Sequence, residues 1–398
     1  MSPPLYLNAV GIGASLGLGK QEVAPLLFAG SRETLRPGKE VRPGRAAVVG
    51  AIERPLPALP PAFSRFDSRN NRLLAALLSE IRADIEAAAR RYGRDRIAIV
   101  LGTSTSGMAE GEAALAAYRE TGRWPADFDY RQQEVGSAAS FAARWLETEG
   151  PAYVVATACS SGAKTFASAR RLIAAGLCDA AVVGGVDTLC RLTLAGFSAL
   201  ESVSAGRCNP FSANRDGITI GEGGAVFLMT REPSEIALLG IGETSDAHHI
   251  SAPDPEGKGA LDAMRAALAD AGLSRDDIRY VNLHGTATPL NDIMESKAVC
   301  ALFGETTPCS STKAMTGHTL GAAGAIEAAF LWLTLHPRFN PGRRLPPHLW
   351  DGAADTALAP IRLATTDDRL PDAPRVAALS NSFGFGGSNC GLVLGRGW

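Results

Sequence analysis

The chain has 398 residues, of which 46% are hydrophobic and 20% charged, ordinary globular proportions that exclude a disordered or fibrous protein. Lys and Arg total 39 against 41 Asp and Glu, and the net charge of −2 excludes a global pull toward nucleic acid or an anionic membrane surface. With 43 glycines and only 6% aromatic residues, an α/β protein with tight turns is favoured over a β sandwich.

The opening MSPPLYLNAVGIGASLG lacks the basic region and apolar run of a secretory signal. Within it, GIGASLG (11–17) spaces its third glycine one residue too far for a dinucleotide fingerprint. AAVVGA (46–51), RIAIVLGTS (96–104), AYVVATAC (152–159) and AAVVGGVD (180–187) are nearly continuous in apolar residues and predict buried strands. The stretches 66–93 and 160–178 place apolar residues at helical spacing. GTSTSG (102–107) has no following Lys-Ser/Thr, so no phosphate loop is expected. Strands alternating with helices of this length imply βαβ units and a mainly parallel sheet.

The plan then repeats. Strands are expected over 237–246 and 279–288, a helix over 259–273, and a closing hairpin over 375–387 and 389–395. The Ala-rich helix after PCSSTKAMTG (308–317) ends near His336. Its apolar stretch Thr319 to Leu335 contains Glu327 and is too short for a membrane span. Two similar α/β halves follow, 1–232 carrying Cys159 and 233–398 carrying His284 and His318, joined near 230–236. The Pro- and Gly-rich segment 339–360 is an irregular excursion.

Seven cysteines, at 159, 178, 190, 208, 300, 309 and 390, form no CxxC pair and no zinc spacing, which suits a reducing cytoplasm. Cys159 differs from the rest. It stands where an apolar strand meets a helix, and a helix N-terminus favours a thiolate. His284 in YVNLHGTATPLND and His318 in STKAMTGHTLGAAGAIEA occupy comparable corners, the edge of a sheet where α/β proteins place ligands. His248, His249, His336 and His348 lack that context and read as surface or loop residues. No HxxxH or carboxylate pairing points to a metal.

ATACSSG, RCNPFSANRDGITIGEGG, NLHGTATPLND, STKAMTGHTLGAAGAIEA and NSFGFGGSN, in that order, resemble the elongating β-ketoacyl-(acyl carrier protein) synthases of the thiolase superfamily. The resemblance implies the thiolase fold, two halves in a five-layered αβαβα arrangement, and a dimer, either of like subunits or with a related synthase or chain-length factor. It implies an acyltransferase with no cofactor, whose substrates ride on the phosphopantetheine arm of acyl carrier protein. Cys159 matches the acyl-accepting nucleophile. His284 and His318 match the pair that promotes malonyl decarboxylation, and Lys313 and Glu327 match the residues that set the electrostatics of His318. Thr286 and Thr288 match the threonines that bind pantetheine. Phe383 matches the gating aromatic whose N–H joins that of Cys159 in an oxyanion hole. Asp292 and Glu295 match acidic positions beside the His284 turn. Departures at Ala287 and Leu290–Asn291 do not touch the chemistry.

In the family, the segment matching GTSTSG lines the far end of the acyl tunnel, which places Thr105 at its closure. Arg65, Arg69, Arg72 and Arg207 are candidates for docking the acidic carrier protein. FDSRNNRLLAALL and GTSTSGMAEGE further resemble the synthases that build aryl polyene chains. Two other readings stay open: a non-catalytic chain-length factor, which lacks the nucleophile, and a coenzyme A thiolase, which carries a second catalytic cysteine in the C-terminal loop.

Overall fold

A computed structural model describes residues 4–42 and 45–398, so Met1–Pro3 of the stretch read for a secretory signal lie outside the described residues. In chain order the first half forms β1 (Leu5–Ala14), β2 (Gly17–Leu18), α1 (Lys20–Ala29), β3 (Leu35–Arg42), β4 (Arg45–Gly50), α2 (Arg69–Glu80), α3 (Arg82–Tyr92), β5 (Ile97–Gly102), α4 (Met108–Thr121), α5 (Ser137–Leu146), β6 (Ala152–Val155), α6 (Ser161–Ala174), β7 (Ala180–Asp187), α7 (Arg191–Ala199), β8 (Ile220–Gly221) and β9 (Gly223–Thr230). The second half adds β10 (Ile236–Ser245), α8 (Lys258–Ala271), β11 (Ile278–Asn282), α9 (Pro289–Phe303), β12 (Pro308–Ser310), α10 (Lys313–Thr316), α11 (Ala323–Leu335), β13 (Arg362–Leu363), β14 (Val376–Gly384) and β15 (Ser388–Arg396).

β5 and β7 are buried along their whole length because helices cover both faces of the sheet. The helix expected over 66–93 is two helices. Ile81, at φ −117 and ψ 15, leaves the helical region between α2 and α3, and Ser68 caps α2 by accepting the Asn71 N–H at 3.2 Å. β6 ends at Val155, short of the expected Cys159, because the chain leaves the sheet in a turn whose Ala158 has φ +53. β1 and β9 are central strands that the sequence reading absorbed into other motifs.

The strands run in the order β13-β12-β11-β14-β15-β10-β1-β9-β7-β5-β6. Ranked by chain order within each half, β6-β5-β7-β9-β1 and β12-β11-β14-β15-β10 share one order, third, second, fourth, fifth, first. The last two strands of each ranking are antiparallel additions to a parallel trio. β1 and β10 join the halves through only two paired positions, Leu5–Leu238 and Tyr6–Ala237.

Three hydrophobic clusters give the layering. One lies between α2, α3 and α5 and the first half's strands, and one between α8 and α9 and the second half's strands. The largest surrounds α6 and α11, which pack against strands of both halves and form the middle layer. Glycine permits their contact. A Cβ on Gly162 would lie 2.8 Å from Ala325 N, and one on Gly324 would lie 2.8 Å from Ala163 N. The N-termini of α6 and α11 therefore meet backbone to backbone. None of the described helices is long and apolar enough to cross a membrane.

Candidate active site

Cys159 sits two residues before α6 in a turn held from several sides. Ser161 Oγ donates to Ala158 O (2.6 Å) and accepts from Thr157 N (2.9 Å), while Ser160 Oγ reaches Ser388 Oγ (3.1 Å). The positive φ of Ala158 is strained backbone, and this bracing keeps it in place. His318 enters from the opposite half, its backbone N donating to Thr219 O (2.6 Å) and its O accepting from Gly221 N (2.9 Å). His318 Nε2 thereby comes within 3.0 Å of Cys159 Sγ. The His284 ring stands 5.3 Å from that of His318, centroid to centroid, at 86°.

Lys313, almost wholly buried, spans the floor of the site. Its Nζ donates to His284 O (2.5 Å), lies 3.4 Å from His284 Nδ1 and pairs with Glu327. A cation beside Nδ1 makes that nitrogen an acceptor, so the His284 proton resides on Nε2. Burial, reinforced by Lys313, holds both histidines well below the usual imidazole range, and they are neutral at physiological pH. Burial pushes the Glu327 carboxyl up to about 7, against the pull of Lys313.

The expected standing thiolate is not what the environment supports. Burial pushes the Cys159 thiol up to about 12, although Lys313 and a backbone hydrogen bond from Phe385 favour the anion. Desolvation outweighs the helix dipole here because the sulfur is enclosed, so the resting pair is a thiol facing a neutral imidazole. The Cys159 sulfur and a ring nitrogen of each of His284 and His318 lie within 4.8 Å of one another. A metal ion could span that distance, but Lys313 Nζ beside His284 opposes a second cation. The cluster suits proton transfer.

Glu295 and Asp292 hold the turn that carries His284. Glu295 accepts the N–H groups of His284 and Gly285, both at 2.7 Å, and Asp292 accepts those of Phe211 (2.8 Å) and Ala287 (3.2 Å). Ala287 adopts φ +67, a conformation these bonds and Gly217 N–H on its carbonyl (3.0 Å) maintain. Thr286 and Thr288 stand with their hydroxyls 3.0 Å apart on the wall of a pocket of about 200 Å³ that ends at Cys159, His284 and His318.

Four expectations need correction. The backbone N–H that reaches the Cys159 sulfur belongs to Phe385, not Phe383. Phe383 is the penultimate residue of β14, buried with its ring 5.9 Å from that of His284, whereas Phe385 lies on the turn beyond it, half exposed against Phe197 at 5.7 Å. The signal was present in SFGFGG, whose second Phe is the one flanked by glycine on both sides. Thr105 does not line this pocket: it is buried, with its N–H and hydroxyl bound to Asp187 Oδ1 at 2.7 and 2.8 Å.

Two further corrections concern the surface and a loop. Arg69 is committed to the buried Glu222, and Arg72 to Asp67 (2.7 Å), so the arginine row is not a free basic face. Arg207 lies 3.6 Å from Glu33, and of the four candidates Arg65 alone makes no ion pair among the described residues. His348 is buried rather than on a surface loop, accepting Ser311 N–H (3.1 Å).

The chain matches the N-terminal domain of beta-ketoacyl synthases over residues 49–234 and their C-terminal domain over residues 236–344. The 3-oxoacyl-[acyl-carrier-protein] synthase 2 of Staphylococcus aureus is 34% identical over 328 residues, 75% of this chain and 77% of that protein. A chain of the complex between the ketosynthase ApeO and its chain length factor ApeC from Xenorhabdus doucetiae superposes with a TM-score of 0.91 at 46% identity, covering 99% of this chain and 98% of that one. A beta-ketoacyl synthase from Burkholderia phymatum STM815 gives 0.85 at 28% identity, with 99% of each chain covered.

Proposed function

The chain belongs to the beta-ketoacyl synthase family of condensing acyltransferases with the thiolase fold, and from that premise we propose the following division of labour in its site. Cys159 attacks the thioester of an acyl chain on carrier protein. Its proton passes to His318 Nε2 at 3.0 Å and on to the departing pantetheine sulfur. The N–H groups of Cys159 and Phe385 receive the oxyanion, each such donor contributing on the order of a hundredfold or more.

A malonyl group on carrier protein then occupies the pocket, its pantetheine arm against Thr286 and Thr288. As carbon dioxide leaves, charge gathers on the malonyl thioester oxygen, and His284 Nε2–H donates to it. His318 supplies a second donor when its proton is on Nε2. The carbanion attacks the acyl carbonyl, the Cys159 sulfur leaves as thiolate, and it takes up a proton from solvent through His318, since the first proton left with the pantetheine thiol. Neutral imidazoles suit this step, because they donate without first having to be protonated.

The observation that carries the reading is the convergence of one thiol and two neutral imidazoles at the end of one pocket. It argues against a non-catalytic chain-length factor. Cys390, the one cysteine near the C-terminal loop, is buried on β15 opposite Ser382 and Glu243 and does not line the pocket, which argues against a thiolase.

We assign the chain to elongation of the aryl polyene type on the resemblance of its α2 and β5–α4 segments, with a chain-length factor as its partner subunit. Carrier protein approaches past Arg65. Seven free cysteines suit a cytoplasmic setting.

Incubation with carrier protein loaded with an acyl chain, followed by mass spectrometry, should find the acyl group on Cys159, and malonyl carrier protein should then release a chain two carbons longer. Cys159→Gln should abolish acylation yet continue to decarboxylate malonyl carrier protein, since both imidazoles remain. Acyl transfer to any other residue would overturn the assignment.

A further inference from the structure

Asp187 ends β7 and is fully buried, and everything that meets its carboxylate is a donor. Oδ1 accepts Thr103 Oγ1 (2.7 Å), Ser104 N (2.7 Å), Thr105 N (2.7 Å) and Thr105 Oγ1 (2.8 Å). Oδ2 accepts Ala322 N at 3.1 Å. Both threonine hydroxyls are oriented by a second bond, Thr103 Oγ1 accepting Ser106 N (3.0 Å) and Thr105 Oγ1 accepting Thr188 N (3.1 Å). Burial raises the Asp187 carboxyl above its ordinary range, the bonds from Thr103, Ser104 and Thr105 oppose that, and five donors with no acceptor favour the ionised form, whose burial is costly unless the whole set is satisfied. Such a fully satisfied network fixes its members in one arrangement.

The members come from two places. Thr103–Thr105 form the loop that leaves β5, while Ala322 lies four residues after His318, in the turn leading to α11. That turn is pressed on the loop. A Cβ on Gly321 would lie 2.7 Å from Ser104 Oγ and 2.9 Å from Asp187 Oδ2. β8 holds the same turn on its other side through the two backbone bonds of His318.

We propose that Asp187 is a positioning residue for the condensation. Its carboxylate clamps the turn after His318 to the β5–α4 loop and so keeps the imidazole at hydrogen-bonding distance from the Cys159 sulfur. This rests on the reading of Cys159 and His318 as reacting groups.

The test is Asp187→Asn. An amide that keeps its oxygen on the four loop donors must turn its NH2 toward Ala322 N–H, which cuts the link to the His318 turn and leaves the loop anchored. Condensation kcat should fall at least tenfold, with KM for malonyl carrier protein within twofold, at a temperature where circular dichroism shows the variant folded. The charge is also lost, and Asp187 opposes the Cys159 thiolate. The pH profile of Cys159 alkylation should therefore shift to lower pH, which reports the lost charge alone, whereas the fall of kcat at constant KM reports the clamp.

Gly321→Ala keeps the charge while pushing the turn off the carboxylate. It should reproduce the loss of kcat without the shift in alkylation, and it decides the matter alone if Asp187→Asn does not fold. Wild-type kcat in Gly321→Ala, or in a folded Asp187→Asn, overturns the clamp. A wild-type chain that never acylates Cys159 overturns instead the reading on which the clamp rests.

Discussion

At Cys159 two effects oppose each other, a helix N-terminus that favours the thiolate and burial that disfavours it, and burial prevails. The thiol raised to about 12 is therefore present across the physiological range, and deprotonation belongs to the attack itself. Alkylation of Cys159 by a small neutral reagent should rise steadily through pH 8 to 10. A rate already level at pH 7 would show a standing thiolate.

Lys313 and Glu327 pose a second question at this scale, because their buried pair neighbours both histidines. Removing one member of a buried pair leaves the other uncompensated, at a cost of ~3–5 kcal/mol. Lys313→Met should lose about that much stability in urea denaturation, and adding Glu327→Leu should recover most of it. Condensation should stay impaired in both, since nothing then fixes the proton of His284 on Nε2. Recovered activity in the double variant would confine the pair to a structural role.

Between elements, the decisive contact is that of α6 with α11. Each helix begins just after a reacting residue, so the distance between their N-termini sets the distance between Cys159 and His318. Gly162 is the residue that lets them touch. A methyl group there would meet Ala325 N at 2.8 Å and Gly321 O at 2.9 Å, both backbone atoms that cannot swing aside. Gly162→Ala should cost ~1–3 kcal/mol by overpacking. It should also lower acylation and condensation together, because the helices separate as rigid units. Thermal melting and the two separate assays would show this, and full activity with a lowered melting temperature would break the link between helix approach and chemistry.

For the whole molecule, the unsolved problem is the free edge of the sheet. Among the described strands β6 pairs only with β5, yet its sequence AYVV is apolar and its side chains are only partly covered. Exposed apolar edges invite another strand. Pro151 O accepts Ile99 N at 2.8 Å, and in a parallel pair alternate residues bond to the same neighbour, so the N–H of Val154 points away from β5. Val154→Pro removes that donor while sparing the pairing with β5. If a partner subunit adds to this edge, the variant should sediment as a monomer with an unchanged far-ultraviolet spectrum. Retention of the dimer would place the interface elsewhere.

The sequence by itself determined the α/β class and singled out Cys159, His284 and His318 as the candidate site, because continuous apolar runs and corner motifs are local patterns. Cys159, His284 and His318 were each legible from the few residues around them. Lys313, Glu327 and the two threonines were legible only through resemblance.

Only the tertiary structure decided what those residues experience. Enclosure reversed the expected ionisation of Cys159, and the position of Phe385 on the turn beyond β14 made it, rather than Phe383, the donor to that sulfur. Arg69 was exposed by pattern but is committed to Glu222, a residue 153 positions away. Asp187 gave no local signal, since the five donors that define it come from segments before and after it in the chain. Burial, charge pairing and donor geometry are sums over neighbours brought together by folding, and periodicity along the chain does not contain them.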